Sequence, residues 1–219
     1  MGIEIDLLIN YPKTNRDIKK RGTKKTEEDR RIAREFGKEF FDGNRKNGYG
    51  GFHYNPRFWQ PVIPTFQKHL ELTSESSVLD IGCAKGFMIH DMKKLIPGIT
   101  VKGIDISNYA IENVIESMKD NVMVADARDL PFRDNSFDVV ISITTVHNLD
   151  RDDCIRSLRE IERVSRRKSF VTVDAYRNED ERTAMLAWNL TAKTILKVEE
   201  WIDLFNEAGY TGDYYWFMP

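Results

Sequence analysis

Cysteine is nearly absent from this chain, which carries two in 219 residues, Cys83 and Cys154. That number and spacing exclude a disulfide framework and a cysteine-ligated zinc site. Histidine is as sparse: four copies, scattered, with no spacing that suits a metal, so no metal is expected. No apolar run reaches the roughly 18 residues of a membrane span, and the N-terminus has no apolar signal-peptide core. A cytoplasmic protein without a membrane span is expected. Neither sign of charge dominates either: 33 Lys+Arg against 35 Asp+Glu leave a net charge of −2, which argues against a general polyanion-binding surface. What is present is enough apolar material, 41% of residues, for one well-buried core with a small appendage.

The chain is organised around residues 77–86, Ser-Val-Leu-Asp-Ile-Gly-Cys-Ala-Lys-Gly. Val78, Leu79 and Ile81 form a short apolar run that reads as a buried strand. Gly82 and Gly86 bracket a tight turn, and from Phe87 the spacing of Phe87, Met88, Met92 and Leu95 becomes helical, ending at Pro97-Gly98. A strand, glycine turn and helix of this kind point free backbone N–H groups at a ligand. Asp80 narrows the choice. A dinucleotide site needs G-x-G-x-x-G and offers its helix to a pyrophosphate, which a carboxylate would repel. An acid suits a ligand with cationic groups and no phosphate, such as S-adenosylmethionine, so a nicotinamide-dependent oxidoreductase is the disfavoured rival.

Asp105 ends the second predicted strand, residues 100–105, and lies 23 positions beyond Gly82. That is close to the offset of about 20 at which an acid meets ribose hydroxyls in nucleotide-binding βαβ units. Further strands are expected at 122–125, 137–143, 169–174 and 210–217, helices at 26–42, 62–70, 152–164 and 198–208, and a loop over the polar stretch 174–182. In an open parallel sheet the ligand sits beyond the carboxyl ends of the strands. Thr144 to Asn148 should therefore line the gap between cofactor and acceptor. His147 is the histidine the strand pattern places there; it either accepts a proton from the acceptor or only hydrogen-bonds acceptor or backbone.

The loop of residues 80–86 resembles motif I of the class I S-adenosylmethionine-dependent methyltransferases, [D/E]-x-G-x-G-x-G, with Ala84 where the family's middle glycine usually stands. Residues 125–142 are similar to a second family run: Asp126, then Leu130-Pro131-Phe132, then Ser136-Phe137-Asp138 before an apolar strand. The resemblance, to the type 11-like small-molecule branch, implies an α/β fold: a doubly wound, mostly parallel sheet with an N-terminal helical lid extension and a shortened C-terminal end. It implies residues 1–75 as extension and lid and 76–219 as the cofactor-binding domain, with one expected strand either missing or replaced by an extended segment at residues 188–196. It also implies S-adenosylmethionine as cofactor, S-adenosylhomocysteine as product, and a cofactor site of Asp80, Gly82, Ala84, Gly86, Asp105, Ile106, Asp126, Ala127 and Thr144, in which Asp126 reads the adenine amino group. Leu130 or Phe132 would cover the flat base.

For the acceptor, Tyr49, His53, Tyr54 and Arg57 in the glycine- and aromatic-rich stretch 47–60, with Asn148, are the lid and substrate candidates; the stretch could equally pack on the sheet. A small-molecule acceptor is expected, by similarity a sugar or nucleotide-sugar, with quinone or polyketide acceptors as the alternative. A cofactor-binding protein without transfer activity is the rival of another class. The absence of an Asn-Pro-Pro-Tyr-like run after strand four argues against nucleobase amines. The basic run 19–25 is either a solvated lead-in or a hold for phosphate or nucleic acid.

Overall fold

The computed structural model describes residues 2–13 and 25–219. The basic run 19–25, apart from Lys25, lies outside the described residues.

Among the described residues four short helices precede the sheet: α1 (Glu27–Ala33), α2 (Lys38–Phe41), α3 (Pro56–Trp59) and α4 (Ile63–His69). Then come β1 (Ser77–Ile81), α5 (Phe87–Leu95), β2 (Thr100–Asp105), α6 (Asn108–Glu112), a 3-10 turn at Glu116–Asn121 and β3 (Val122–Val124). The chain continues through β4 (Phe137–Ile143), a 3-10 turn at Val146–Asn148, α7 (Arg151–Val164), β5 (Ser165–Tyr176), α8 (Glu179–Trp188), β6 (Leu196–Lys197), α9 (Val198–Ala208) and β7 (Asp213–Phe217). Among the described residues the sheet runs β3-β2-β1-β4-β5, all parallel, and the far edge of β5 is shared. Residues 170–174 of β5 pair with β7 and residues 175–176 with β6, both in parallel.

Strand alternation divides the core into two layers. Leu79, Ile81, Val140, Val171 and Val173 face α7 and α9, where Leu158, Ile161, Trp201 and Phe205 are fully buried. Val78, Val101, Val139, Ile141 and Phe170 face α4 and α5, with Phe66, Ile89 and Met92, and also Leu7 of the N-terminal arm. That arm adds a bridge, Glu4 to Tyr214, on the outer edge of β7.

Three expectations are corrected. The helix expected over 26–42 is broken, because Phe36 sits at φ 49° and turns the chain between α1 and α2. Of residues 188–196 only Leu196 is in a strand, as the start of β6: β7 and β6 occupy the β5 edge, and the segment 188–193 crosses the sheet's carboxyl end. The polar stretch 174–182, expected as loop, holds the end of β5 and the start of α8, whose N-cap Asn178 accepts from the Glu181 N–H.

Candidate functional site

The carboxyl ends of β1, β2, β4 and β5 open into a cavity of about 620 Å³. Its floor contains Gly82, Ala84, Asp105, Ile106, Asp126, Ala127 and Thr144, seven of the nine residues expected around the cofactor. Asp80 and Gly86 do not line it. Asp80 alternates with Leu79 and Ile81 and shares the face of Val78 under α5, where it is 4% exposed. Burial, then the nearby Asp105 charge, pushes its carboxyl up to about 8. Gly86 starts α5 from the left-handed region at φ 76°.

The turn is held by the acid that follows β2. The Ala84 N–H donates to Asp105 Oδ2 over 2.8 Å and the Ser107 N–H to Oδ1 over 2.9 Å. Burial raises the Asp105 pKa while these backbone donors oppose it. Ala84 itself lies at φ 49°, a conformation disfavoured for a residue with a Cβ. Gly82, at φ 83°, has a different reason: a Cβ there would meet Thr145 Oγ1 at 2.0 Å, so glycine admits the loop after β4. Both oxygens of Asp126 accept from Arg128, whose guanidinium also reaches Asp153 Oδ2 at 2.7 Å. Hydrogen bonding to Arg128 holds Asp126 below the usual carboxylate range.

The wall toward the acceptor end contains Thr144, His147, Asn148, Asp150 and Asp174, with Trp188–Thr191, Lys193 and Phe217. His147 is buried, and its Nδ1 accepts from the Asp174 N–H over 2.8 Å. This bond assigns the proton of the neutral ring to Nε2, and burial lowers the ring's pKa. No free lone pair remains on the ring, which corrects the expectation of a histidine base and leaves its hydrogen-bonding alternative.

A roof of N-terminal residues covers part of the cavity: Arg34, Glu35, Phe36, Phe40, Phe41, Arg45, Gly48 and Tyr49. It is tied down on both sides. On one, Lys85 Nζ and Tyr109 Oη both donate to Asp42 Oδ2, at 2.6 and 2.7 Å, and Ser107 Oγ donates to the Phe36 carbonyl. On the other, Arg34 donates to the Thr191 and Ala192 carbonyls and Lys25 to those of Trp188 and Asn189.

Of the lid candidates, Tyr49 and Asn148 line the cavity, whereas His53, Tyr54 and Arg57 do not. Tyr54 Oη donates to Asp91 on α5, Arg57 lies over the Phe58 ring, and His53 is exposed. The alternative that part of the stretch packs on the core holds for Tyr54. Leu130 and Phe132 belong to the core beside α7 and cover no ligand face. Arg34 and residues 188–193 escaped the sequence reading because the contacts that join them to their partners span more than 150 positions. Among the described residues no His/Cys/Asp/Glu group is placed to hold a metal, and no helix is long and apolar enough to cross a membrane.

The donor set fits a cationic nucleoside. Asp105 and Asp126 are presented at adjacent strand ends, and the turn aims no basic side chain into the floor, since Lys85 is turned away onto Asp42.

Comparison with known proteins agrees with this geometry. Residues 79–173 match the model of a methyltransferase domain. The chain is 34% identical over 145 residues to the tRNA (carboxymethyluridine(34)-5-O)-methyltransferase of Arabidopsis thaliana, covering 65% of this chain and 33% of the relative. It is 33% identical over 105 residues to the demethylmenaquinone methyltransferase of Thermotoga maritima, covering 48% and 44%. The chain thus spans less than half the length of these curated relatives. Among solved structures, the putative methyltransferase complexed with the Trm112 activator from Haloferax volcanii superposes with a TM-score of 0.57 at 22% identity, covering 69% of this chain and 68% of that one. The MccD protein superposes with a TM-score of 0.55 at 26% identity, covering 66% and 68%.

Proposed function

We propose that the chain, whose residues 79–173 match a methyltransferase domain, is a class I S-adenosylmethionine-dependent methyltransferase and that it methylates a hydroxyl of a small-molecule acceptor, with a sugar or nucleotide-sugar as the leading class. The observation that carries this reading is the roof. Residues 34–49 are anchored to the cofactor turn through Lys85–Asp42 and to the segment 188–193 through Arg34, so the acceptor shares a partly covered cavity with the cofactor. Cavities of this size suit small ligands. The acceptor end mixes aromatic rings, Tyr49, Trp188 and Phe217, with the polar side chains of Asn148, Asp150, Asn189 and Lys193. That combination suits the faces and hydroxyls of a sugar ring.

The bound cofactor supplies a methyl group activated by its positive sulfonium. With the cofactor bound, Asp105, fixed by the Ala84 and Ser107 N–H groups, would hold the ribose, and Asp126 and Ala127 would hold the adenine. Gly82, Ala84, Ile106 and Thr144 shape the remaining floor. Asp80 acts from beneath, by charge. Asn148 and Tyr49 hold the acceptor, and the roof (within residues 1–75, which act as extension and lid) excludes water while reactants are aligned, the chief contribution such a transfer needs.

A quinone-type acceptor is the second reading, favoured by the likeness to the Thermotoga demethylmenaquinone methyltransferase. The test is transfer of tritium from S-adenosyl-[methyl-³H]methionine to free sugars and nucleotide-sugars, demethylmenaquinone and total tRNA. Label in the sugar class supports the proposal. Label only in quinone or tRNA replaces it, and cofactor binding with no label in any pool supports a binding protein without transfer activity.

A further inference from the structure

Asp174 is the unusual group in the cavity wall. β5 overshoots its neighbour: Ile143, the last residue of β4, pairs with Thr172, so Asp174 stands beyond the end of β4 at the level of the cofactor–acceptor gap. It is 6% exposed, and that small exposure lies on the cavity it lines. Its main chain is fully engaged, the N–H by His147 Nδ1 and the carbonyl by Trp201 Nε1 at 3.0 Å. Its carboxylate is not. No hydrogen bond from a described residue reaches it, and the nitrogen 3.5 Å from Oδ1 is His147 Nδ1, a lone pair already committed to the Asp174 N–H.

With no donor among the described residues, this buried carboxylate is costly unless a ligand supplies one. The donor that fits a methyl-transfer cavity is the hydroxyl of the acceptor. Resting on the function proposed above, we infer that Asp174 is the general base of the reaction and that His147 positions it by gripping its main chain. Asp174 takes the hydroxyl proton as the oxygen–methyl bond forms and the carbon–sulfur bond breaks. The electron pair of the broken bond stays on sulfur as a neutral thioether, and the proton passes to water after the product leaves. Burial raises the pKa of Asp174, while the charged groups facing it, His147 when protonated and Lys25, oppose that rise. A raised pKa makes the carboxylate the stronger acceptor of a proton.

The inference has a test that needs no acceptor. In ¹³C-carboxyl aspartate-labelled protein saturated with S-adenosylhomocysteine, with the Asp174 signal assigned by its loss in D174N, the carboxyl should titrate above the ordinary aspartate range and exchange its proton with solvent. The ¹⁵N shifts of His147 should show Nδ1 unprotonated throughout. An Asp174 signal with an ordinary or lowered pKa, or a proton on His147 Nδ1, overturns the assignment even though cofactor binding is intact. Loss of cofactor binding by wild-type protein would instead sink the function on which it rests. With any acceptor found in the tritium assay, D174N should lose about 10²–10⁴-fold in kcat, keep the cofactor Kd within about twofold, and lose the limb of the pH profile that rises with pH. D174E should recover part of the rate. Unchanged kcat in D174N also overturns it.

Discussion

Lys85 Nζ donates to Asp42 Oδ2 over 2.6 Å, so a residue inside the cofactor turn is the anchor of the roof above it. The pair is largely buried, with side chains 7% and 18% exposed, and Asp42 Oδ1 also accepts from the Phe52 N–H. Cofactor turn and roof are therefore expected to loosen together.

Removing one partner leaves the other charge buried. K85M or D42N should each lower unfolding free energy by about 3 kcal/mol in chemical denaturation, and each should weaken S-adenosylmethionine binding although Asp42 does not line the cavity. The double variant should cost less than the two single costs together. Hydrogen bonds from Lys85, Phe52 and Tyr109 outweigh the burial of Asp42 and hold its pKa to about 2. Its stabilising contribution is present above pH 4 and is lost as the pH falls toward 2. That acid-limb loss should be missing from D42N.

Asp80 predicts the opposite slope. Its folded pKa of about 8, against an ordinary 3.8, means that the native state holds a proton the unfolded chain has released. Stability of the cofactor-free protein should fall as pH rises from about 4 to 8, and D80N, which mimics the protonated acid, should remove that fall. A cationic ligand favours the ionised form, so binding of S-adenosylmethionine releases this proton below pH 8. Its affinity should tighten as pH rises from 6 to 8, by at most about tenfold per pH unit, and S-adenosylhomocysteine, without the sulfonium, should show a smaller change in calorimetry.

The turn separates two glycine arguments. G82A should cost about 1–3 kcal/mol in backbone strain alone, besides pushing Thr145 aside, and should abolish cofactor binding. A84G relieves a residue held at φ 49° and should gain about 1 kcal/mol in thermal unfolding with cofactor affinity unchanged or improved.

H147Q tests the wall. Gln can still accept from the Asp174 N–H, so the variant should lose no more than about 1–2 kcal/mol of stability and retain the rising limb of the pH–rate profile. Loss of that limb would return the base to the histidine.

The strand ends near the site were legible because apolar runs ending in Asp80 and Asp105 carry their own boundaries, while the expected cofactor residues, seven of which line the cavity, came from the family resemblance. The depth of Asp80 was missed: the sequence reading put it in the cofactor site, whereas alternation with Leu79 sets it on the Val78 face, beneath the floor rather than in it. The roof was not legible either, since Arg34 meets Thr191 and Asp42 meets Lys85 only after the sheet has folded. His147 looked like a base because sequence shows a residue type without the hydrogen bond that fixes its tautomer. Asp174 carried a signal that passed unused, an acid closing an apolar strand as Asp80 and Asp105 do.

The most direct measurement is isothermal titration of the pure protein with S-adenosylmethionine, S-adenosylhomocysteine and NAD, repeated on D105N. The acidic floor predicts one site for each of the first two ligands, no heat with NAD, and a loss of affinity in D105N. No heat with either sulfur ligand, or affinities unchanged when Asp105 is neutralised, would contradict it.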